Sequence, residues 1–72
     1  MARRKTLLEV FSMNLKFWRK TNGFTQKQLA TKAGVHVSYV SMLERGTRSP
    51  PLETVEKFSV ALRVKAAGLL LE

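Results

Sequence analysis

Gly34 separates two short amphipathic patterns, and this spacing constrains the fold more than any other feature of the chain. Before the glycine, residues of one helix face recur at intervals of three and four, namely Gln26, Leu29, Ala30 and Ala33. After it come an apolar pair, Val40 and Leu43, and a mainly polar stripe made of Ser38, Ser41, Met42 and Arg45. Glycine tolerates the positive φ of a tight turn, and alanines let two helices cross closely. Residues 26–45 therefore predict two helices joined by a tight turn, with the second held away from the body of the domain.

Helical spacing and capping signals extend over the rest of the chain. A first helix is predicted over residues 6–22, ahead of Gly23, with a core stripe of Leu8, Phe11, Leu15 and Trp18. Thr25 and Gln28 have the spacing of a capping box, which predicts that the next helix begins after Thr25. The helix after Gly34 is expected over residues 37–45, ending at Gly46.

The C-terminal third predicts one clear helix and one weaker one. Pro51 suits the first turn of a helix, Glu53 meets the positive end of its dipole, and its inward stripe is Val55, Phe58 and Leu62. For residues 64–72 the prediction of a fifth helix is weaker, because Gly68 lies inside the segment and no capping residue precedes it. No strand-like alternation occurs. We therefore predict one all-α domain over residues 1–72, a compact bundle of four to five short helices.

Composition excludes several classes of protein. The 72 residues contain no cysteine and one histidine, so they offer no disulfide framework and too few ligands for a metal site, and we expect no cofactor. No acidic pair is placed for proton transfer, which argues against an enzyme. No apolar run approaches the ~20 residues needed to cross a bilayer, and we expect a cytoplasmic protein. A chain this small has a marginal core, which favours a homodimer.

Positive charge is concentrated in the N-terminal two thirds of the chain. The net charge is +5 in residues 1–23, +3 in residues 24–48 and zero in residues 49–72. This distribution favours a polyanion on one side and a protein partner on the other, although the same cationic side chains can serve solubility alone. The basic arm formed by Arg3, Arg4 and Lys5 is either a solvated tail or a segment that reaches into the minor groove of DNA.

Between about residues 14 and 64, the chain resembles the Cro and phage-repressor class of helix-turn-helix regulators, which includes the small controller proteins of restriction-modification systems. The residues that carry the resemblance are Arg19, the run Thr25-Gln26-Lys27-Gln28-Leu29-Ala30, Gly34-Val35, Val40, Leu43, Glu44-Arg45-Gly46, Pro50 and Leu52-Glu53-Thr54-Val55. The resemblance implies a lambda repressor-like fold. It also implies a homodimer that binds a palindromic double-stranded DNA operator and regulates transcription, as a repressor or controller associated with the nucleoid.

The resemblance assigns DNA contacts by position. Base edges and flanking phosphates are expected to be reached from His36, Val37, Ser38, Ser41, Met42 and Arg45. Gln26 matches a position that touches a phosphate and braces the reading helix, while Lys27, Thr47 and Arg48 are candidates for phosphate neutralisation. His36 is either such a contact or a turn residue whose ring lies over the end of the helix. Because His36 and Val37 stand where a capping side chain is more usual, the first turn of this helix is expected to be ordered only on DNA.

Other residues have structural roles by the same resemblance. Arg19 and Glu44 are expected to form an ion pair that clamps the first helix to the third, and Ala30 and Gly34 to permit the close helix crossing and the turn. The dimer interface is predicted within residues 60–72, formed by the apolar residues left outside the core stripes, which are Val60, Val64, Leu69, Leu70 and Leu71.

Two alternatives compete with this interpretation. An antitoxin-like module would have the same fold, but a different protein would dock on the apolar C-terminal face. A cationic membrane-surface peptide would instead bury Leu7, Val10 and Phe17 of the first helix in a bilayer. The capping box and the glycine turn disfavour the membrane alternative, since both specify a folded domain.

Overall fold

The computed structural model describes residues 5–72, so Arg3 and Arg4 of the basic arm lie outside the described residues. The described residues form five α-helices, α1 (Leu7–Thr21), α2 (Gln26–Ala33), α3 (Val37–Arg45), α4 (Leu52–Leu62) and α5 (Ala66–Leu70). The prediction of an all-α bundle of four to five short helices is confirmed. None of these helices has the length and apolar character needed to cross a bilayer.

Two capping boxes start the first two helices. The Thr25 hydroxyl accepts from the Gln28 amide and the Gln28 side chain accepts from the Thr25 amide, at 3.0 and 2.8 Å, which confirms the predicted box. Thr6 and Glu9 form the same arrangement ahead of α1, at 3.1 and 3.0 Å. This second box fixes the start of α1 one residue later than predicted.

Gly34 makes the turn between α2 and α3. Its φ of +72° lies in the left-handed region, as predicted, and the Val35 amide after it donates to the Ala30 carbonyl at 2.9 Å. This hydrogen bond closes the end of α2 in the manner of a Schellman motif. Ala30 is 3% exposed, and this burial fits the predicted close crossing of α2 and α3.

The core collects one apolar face from each helix. Its fully buried large side chains are Phe11, Leu15, Leu29, Val40, Leu43, Phe58, Leu62 and Leu69. The predicted stripe of α4 is confirmed, whereas in α1 Leu8 and Trp18 are only partly buried and Val10 is buried instead. Because Val10 is 6% exposed, it does not share an exposed face with Leu7 and Phe17. The three side chains therefore cannot form the apolar stripe that the membrane-surface alternative would place in a bilayer.

The C-terminal helices are tied to α1 by two asparagine side chains. Asn14 donates to the carbonyls of Leu69 and Leu71 at 3.2 and 2.7 Å, and Asn22 donates to the carbonyl of Leu62 at 3.3 Å. These amides satisfy carbonyls at the ends of α5 and α4 that lack partners within their own helices. α5 therefore forms although no side chain caps its N-terminus.

Leu69 lies in the core of the protomer. It is fully buried against the other helices, so the prediction that it remains outside the core and is available to a dimer interface is wrong. The reason is tertiary: the hydrogen bonds from Asn14 hold α5 against α1, and this position turns Leu69 inward.

Candidate nucleic-acid interface

α3 is anchored on one side and open on the other. Val40 and Leu43 are fully buried and fix the inner side of the helix. The predicted contact residues lie elsewhere on or beside it: His36, Val37, Ser38 and Arg45 are exposed, and Ser41 and Met42 are half-buried. The structure thus brings these six positions together along one short helix, in a form that can approach a flat or grooved partner.

Three side chains clamp α3 to the helices behind it. Arg19 of α1 donates from Nε and Nη2 to the two carboxylate oxygens of Glu44, at 2.6 and 3.1 Å. Gln26 of α2 donates to Glu44 Oε1 at 3.1 Å, and Arg19 Nη1 also donates to the Phe24 carbonyl at 2.8 Å. A bidentate guanidinium–carboxylate pair fixes direction as well as distance. The predicted ion pair is present, and Gln26 contacts α3 through Glu44, whereas its predicted phosphate contact stays a prediction.

The first turn of α3 is capped by His36, contrary to the expectation that it would be ordered only on DNA. His36 Nδ1 accepts from the Ser38 amide at 3.1 Å and lies 2.8 Å from Ser38 Oγ. The Tyr39 amide donates to the His36 carbonyl at 3.0 Å, so the turn is formed in the free chain. The expectation failed because histidine is not among the usual capping residues.

The two serines of α3, Ser38 and Ser41, differ in their freedom to bind a partner. The Ser38 hydroxyl contacts His36, whereas the Ser41 hydroxyl makes no hydrogen bond within residues 5–72. A free hydroxyl can donate to or accept from the edge of several bases. Val37 and Met42, beside these serines, present apolar groups that suit thymine methyls.

The C-terminal end of α3 turns into a basic loop. Gly46 adopts a φ of +73°, and Thr47 donates from its amide and its hydroxyl to the Met42 carbonyl at 3.0 and 3.1 Å. The single hydroxyl proton of Thr47 is therefore already engaged. Arg48, in this loop, lies over the ring of Tyr39, 5.7 Å from its centroid, which restrains the guanidinium beside the first turn of α3.

The remaining predicted residues lie on α2 and on the C-terminal face. Lys27 is exposed in the first turn of α2, close in sequence to Gln26. Among the predicted dimer residues of the C-terminal third, Val60 and Leu71 are 74% and 67% exposed, while Val64 and Leu70 are half-buried against the core. Residues 5–72 contain no group of three or more His, Asp or Glu side chains placed to hold a metal ion.

The sequence that forms this arrangement matches a known protein family. A family model described as helix-turn-helix matches residues 15–69. Among curated proteins, the chain is 37% identical over 65 residues to a hypothetical transcription factor of Neisseria meningitidis, covering 90% of the chain and 61% of that protein. It is 41% identical over 49 residues to the control protein C.BamHI of Bacillus amyloliquefaciens, covering 68% of the chain and 60% of that protein. The chain thus spans about three fifths of these relatives, as it does of SinR from Bacillus licheniformis, at 58%.

Solved structures with the same fold are similar over nearly the whole chain. The hypothetical transcription factor NHTF from Neisseria superposes with a TM-score of 0.90 at 34% identity, covering 99% of this chain and 85% of that one. The restriction-modification controller protein C.AhdI from Aeromonas hydrophila superposes with a TM-score of 0.83 at 34% identity, covering 86% of this chain and 94% of that one.

Proposed function

Because the chain belongs to the Cro and phage-repressor class of the helix-turn-helix family, we propose that it regulates transcription by binding a palindromic operator in double-stranded DNA as a homodimer. Its relatives are named as transcriptional regulators and control proteins rather than as enzymes. In this proposal α3 enters the major groove, and the two copies of α3 in the dimer meet half-sites about 34 Å apart, one turn of B-DNA.

The observation that carries the proposal is the orientation of α3. The Arg19–Glu44–Gln26 clamp and the buried Val40 and Leu43 hold the helix, while its other side exposes polar and apolar groups of the kinds that read base edges. An isolated helix of nine residues is not stable in water, so its position depends on this support.

Charge supports a polyanionic partner over a neutral one. Lys27 and Arg48 lie on the segments that flank α3, and Arg45 is exposed in its last turn. Lysine and arginine side chains at such positions neutralise phosphates and fix the register of the protein without reading sequence. The overall charge of +8 would draw the chain toward DNA from a distance.

The dimer is proposed to form through the C-terminal face, which consists of Val60, Val64, Leu70 and Leu71. Val60 and Leu71 are large apolar side chains with most of their surface exposed, and this third of the sequence carries no net charge. Self-association buries exposed apolar surface, and a balanced charge avoids repulsion between two copies. The same residues would serve the antitoxin-like alternative, in which a different protein covers them.

Selection of bound duplexes from a random pool tests the proposal. The expected result is a single palindromic consensus, bound ~10³-fold or more tightly than random duplex, with affinity that falls steeply as salt rises. A nuclear magnetic resonance titration with the selected duplex should then shift the amides of α3. Enrichment of no sequence, or shifts confined to surfaces away from α3, would refute the proposal.

A further inference from the structure

Three of the five helices in residues 5–72 begin with a side-chain cap, and the caps are of two kinds. α1 and α2 are capped by the hydroxyls of Thr6 and Thr25, each within a capping box, whereas α3 is capped by the imidazole of His36. A threonine cap commits its only polar side-chain atom to the helix. An imidazole has two nitrogens on opposite sides of the ring, so it can cap a helix with one and bind a partner with the other.

The cap determines which nitrogen of His36 carries the proton. The Ser38 amide lies 3.1 Å from Nδ1, and a backbone amide can only donate. Nδ1 must therefore supply a lone pair, and the proton of the neutral ring lies on Nε2. Ser38 Oγ, 2.8 Å from Nδ1, is close enough to donate to the same atom. In the opposite tautomer two N–H groups would face each other and the cap would be lost.

The second nitrogen of His36 remains available. The residue is exposed, and within residues 5–72 its side chain makes hydrogen bonds to Ser38 through Nδ1 and none through Nε2. His36 immediately precedes Val37 at the N-terminal end of α3. In helix-turn-helix proteins that end of the reading helix contacts base edges.

We propose that His36 is a specificity-determining residue with a divided role, in which Nδ1 caps α3 and Nε2–H donates a hydrogen bond to N7 of a purine in the major groove. This inference rests on the proposed function, because it requires α3 to enter that groove. Purine N7 accepts hydrogen bonds at the major-groove edge, and the cap fixes the ring before DNA arrives. The contact therefore needs no tautomer change on binding.

Three substitutions separate the two nitrogens. His36→Asn keeps an acceptor for the Ser38 amide, since asparagine is a good N-cap, but has no donor at the position of Nε2, because its own amide nitrogen lies nearer the backbone. His36→Gln keeps a distal amide donor and is a poor cap, and His36→Ala removes both groups. We expect the Asn variant to unfold at the wild-type temperature and the Gln and Ala variants to unfold at lower temperatures. Equal thermal stability of wild type, Asn and Ala variants would refute the capping role.

Base contact is tested by replacing each purine of the selected duplex in turn with its 7-deaza analogue, which lacks only the N7 acceptor. At one position per half-site the wild type should bind roughly two- to tenfold more weakly, the range expected for one hydrogen bond. The Asn variant should bind the unmodified duplex more weakly by the same factor and be indifferent to the analogue there. A uniform loss for the Asn variant, with no sensitive purine for the wild type, would identify a phosphate contact and overturn the proposal.

The tautomer is tested in the free protein. Nitrogen-15 chemical shifts of the His36 imidazole at alkaline pH should show a protonated Nε2 and an unprotonated Nδ1. The reverse assignment would overturn the inference independently of any DNA. Failure of the wild type to prefer any duplex would instead refute the proposed function and the base contact with it, while the tautomer and capping results would stand.

Discussion

Arg19 and Glu44 lie 25 positions apart in the sequence and form a bidentate ion pair whose side chains are 11% and 4% exposed. The pair connects α1 to α3, and Gln26 joins it from α2 through the same carboxylate. Because both side chains are largely buried, water screens the attraction between them less than it would in a pair on the surface. A buried carboxylate without its partner destabilises the folded state, so removal of one partner tests the contribution of the pair.

Replacing Arg19 by Met should destabilise the chain by about 3–5 kcal/mol, because Glu44 would remain buried with only the Gln26 amide as a side-chain partner. Urea unfolding followed by circular dichroism measures the change. The double variant Arg19→Met with Glu44→Leu should recover most of the loss, since it removes both charges and leaves apolar side chains of similar size.

The matched control for this prediction is Lys20→Met, which removes the same charge from an exposed neighbouring position of α1. We expect its free energy of unfolding to stay within about 0.5 kcal/mol of the wild type. An equal effect of the Arg19 and Lys20 substitutions would show that overall charge, and not the pair, determines the stability.

Ser41 and Lys27 should affect DNA binding in different ways. The free hydroxyl of Ser41 lies on the reading helix, so Ser41→Ala should alter the preference at one or two base pairs. Lys27→Ala should weaken binding to all duplexes alike. The slope of log affinity against log salt concentration should also fall in magnitude by about one, as expected for one lost phosphate contact. Competition binding against single-base variants of the selected duplex, repeated at several salt concentrations, measures both effects.

The two substitutions serve as controls for each other, because both truncate a side chain near the protein surface. Equal loss of affinity across every duplex for both variants would mean that α3 does not read sequence. A change of base preference in the Lys27 variant would mean that α2, and not α3, lies in the groove.

Local signals in the sequence were sufficient for most of the fold. The Thr25–Gln28 box and the left-handed Gly34 depend on residues within one turn of each other, and both were predicted. The Thr6–Glu9 box has the same spacing and was missed, although the signal was present in the sequence. The cap provided by His36 had no such signal, since imidazole acceptors are unusual at this position.

Contacts between distant segments were beyond the reach of local patterns. Nothing near Asn14 in the sequence indicates that its amide binds carbonyls 55 and 57 positions away. The burial of Leu69 follows from this contact, and for that reason its role was predicted wrongly. Periodicity identifies an apolar face, but whether that face meets its own protomer or a second one depends on tertiary packing.

The proposed dimer makes a prediction about Val60 and Leu71. Each is largely exposed in the protomer, so replacing either by Asp should leave the fold intact and place a charge in the interface. Sedimentation equilibrium should show a dimer for the wild type and a shift toward monomer for each variant. Affinity for the palindromic duplex should fall as dimerisation is lost, because two separate monomers then bind the half-sites independently.

Leu52→Asp is the matched control for the dimer, because Leu52 is 79% exposed on α4 but lies outside residues 60–72. In sedimentation equilibrium the Leu52→Asp variant should have the same dimer mass as the wild type. An unchanged dimer in both the Val60 and the Leu71 variants would place the interface elsewhere. A monomeric wild type would favour the antitoxin-like alternative, in which these side chains meet a different protein.

Replacing Arg63, at the end of α4, with glycine should stabilise the folded chain. Its φ of 58° and ψ of 42° lie in the left-handed region, which costs a residue with a Cβ roughly 1–2 kcal/mol. Glycine removes this cost and adds about 0.5–1 kcal/mol of unfolded-state entropy, so Arg63→Gly should gain about 0.5–1 kcal/mol and raise Tm by roughly 2–8 °C. Arg63→Ala removes the same exposed charge and retains the Cβ, so it should show no gain. Equal Tm values for the two variants would mean that the backbone at position 63 relaxes out of the left-handed region without cost.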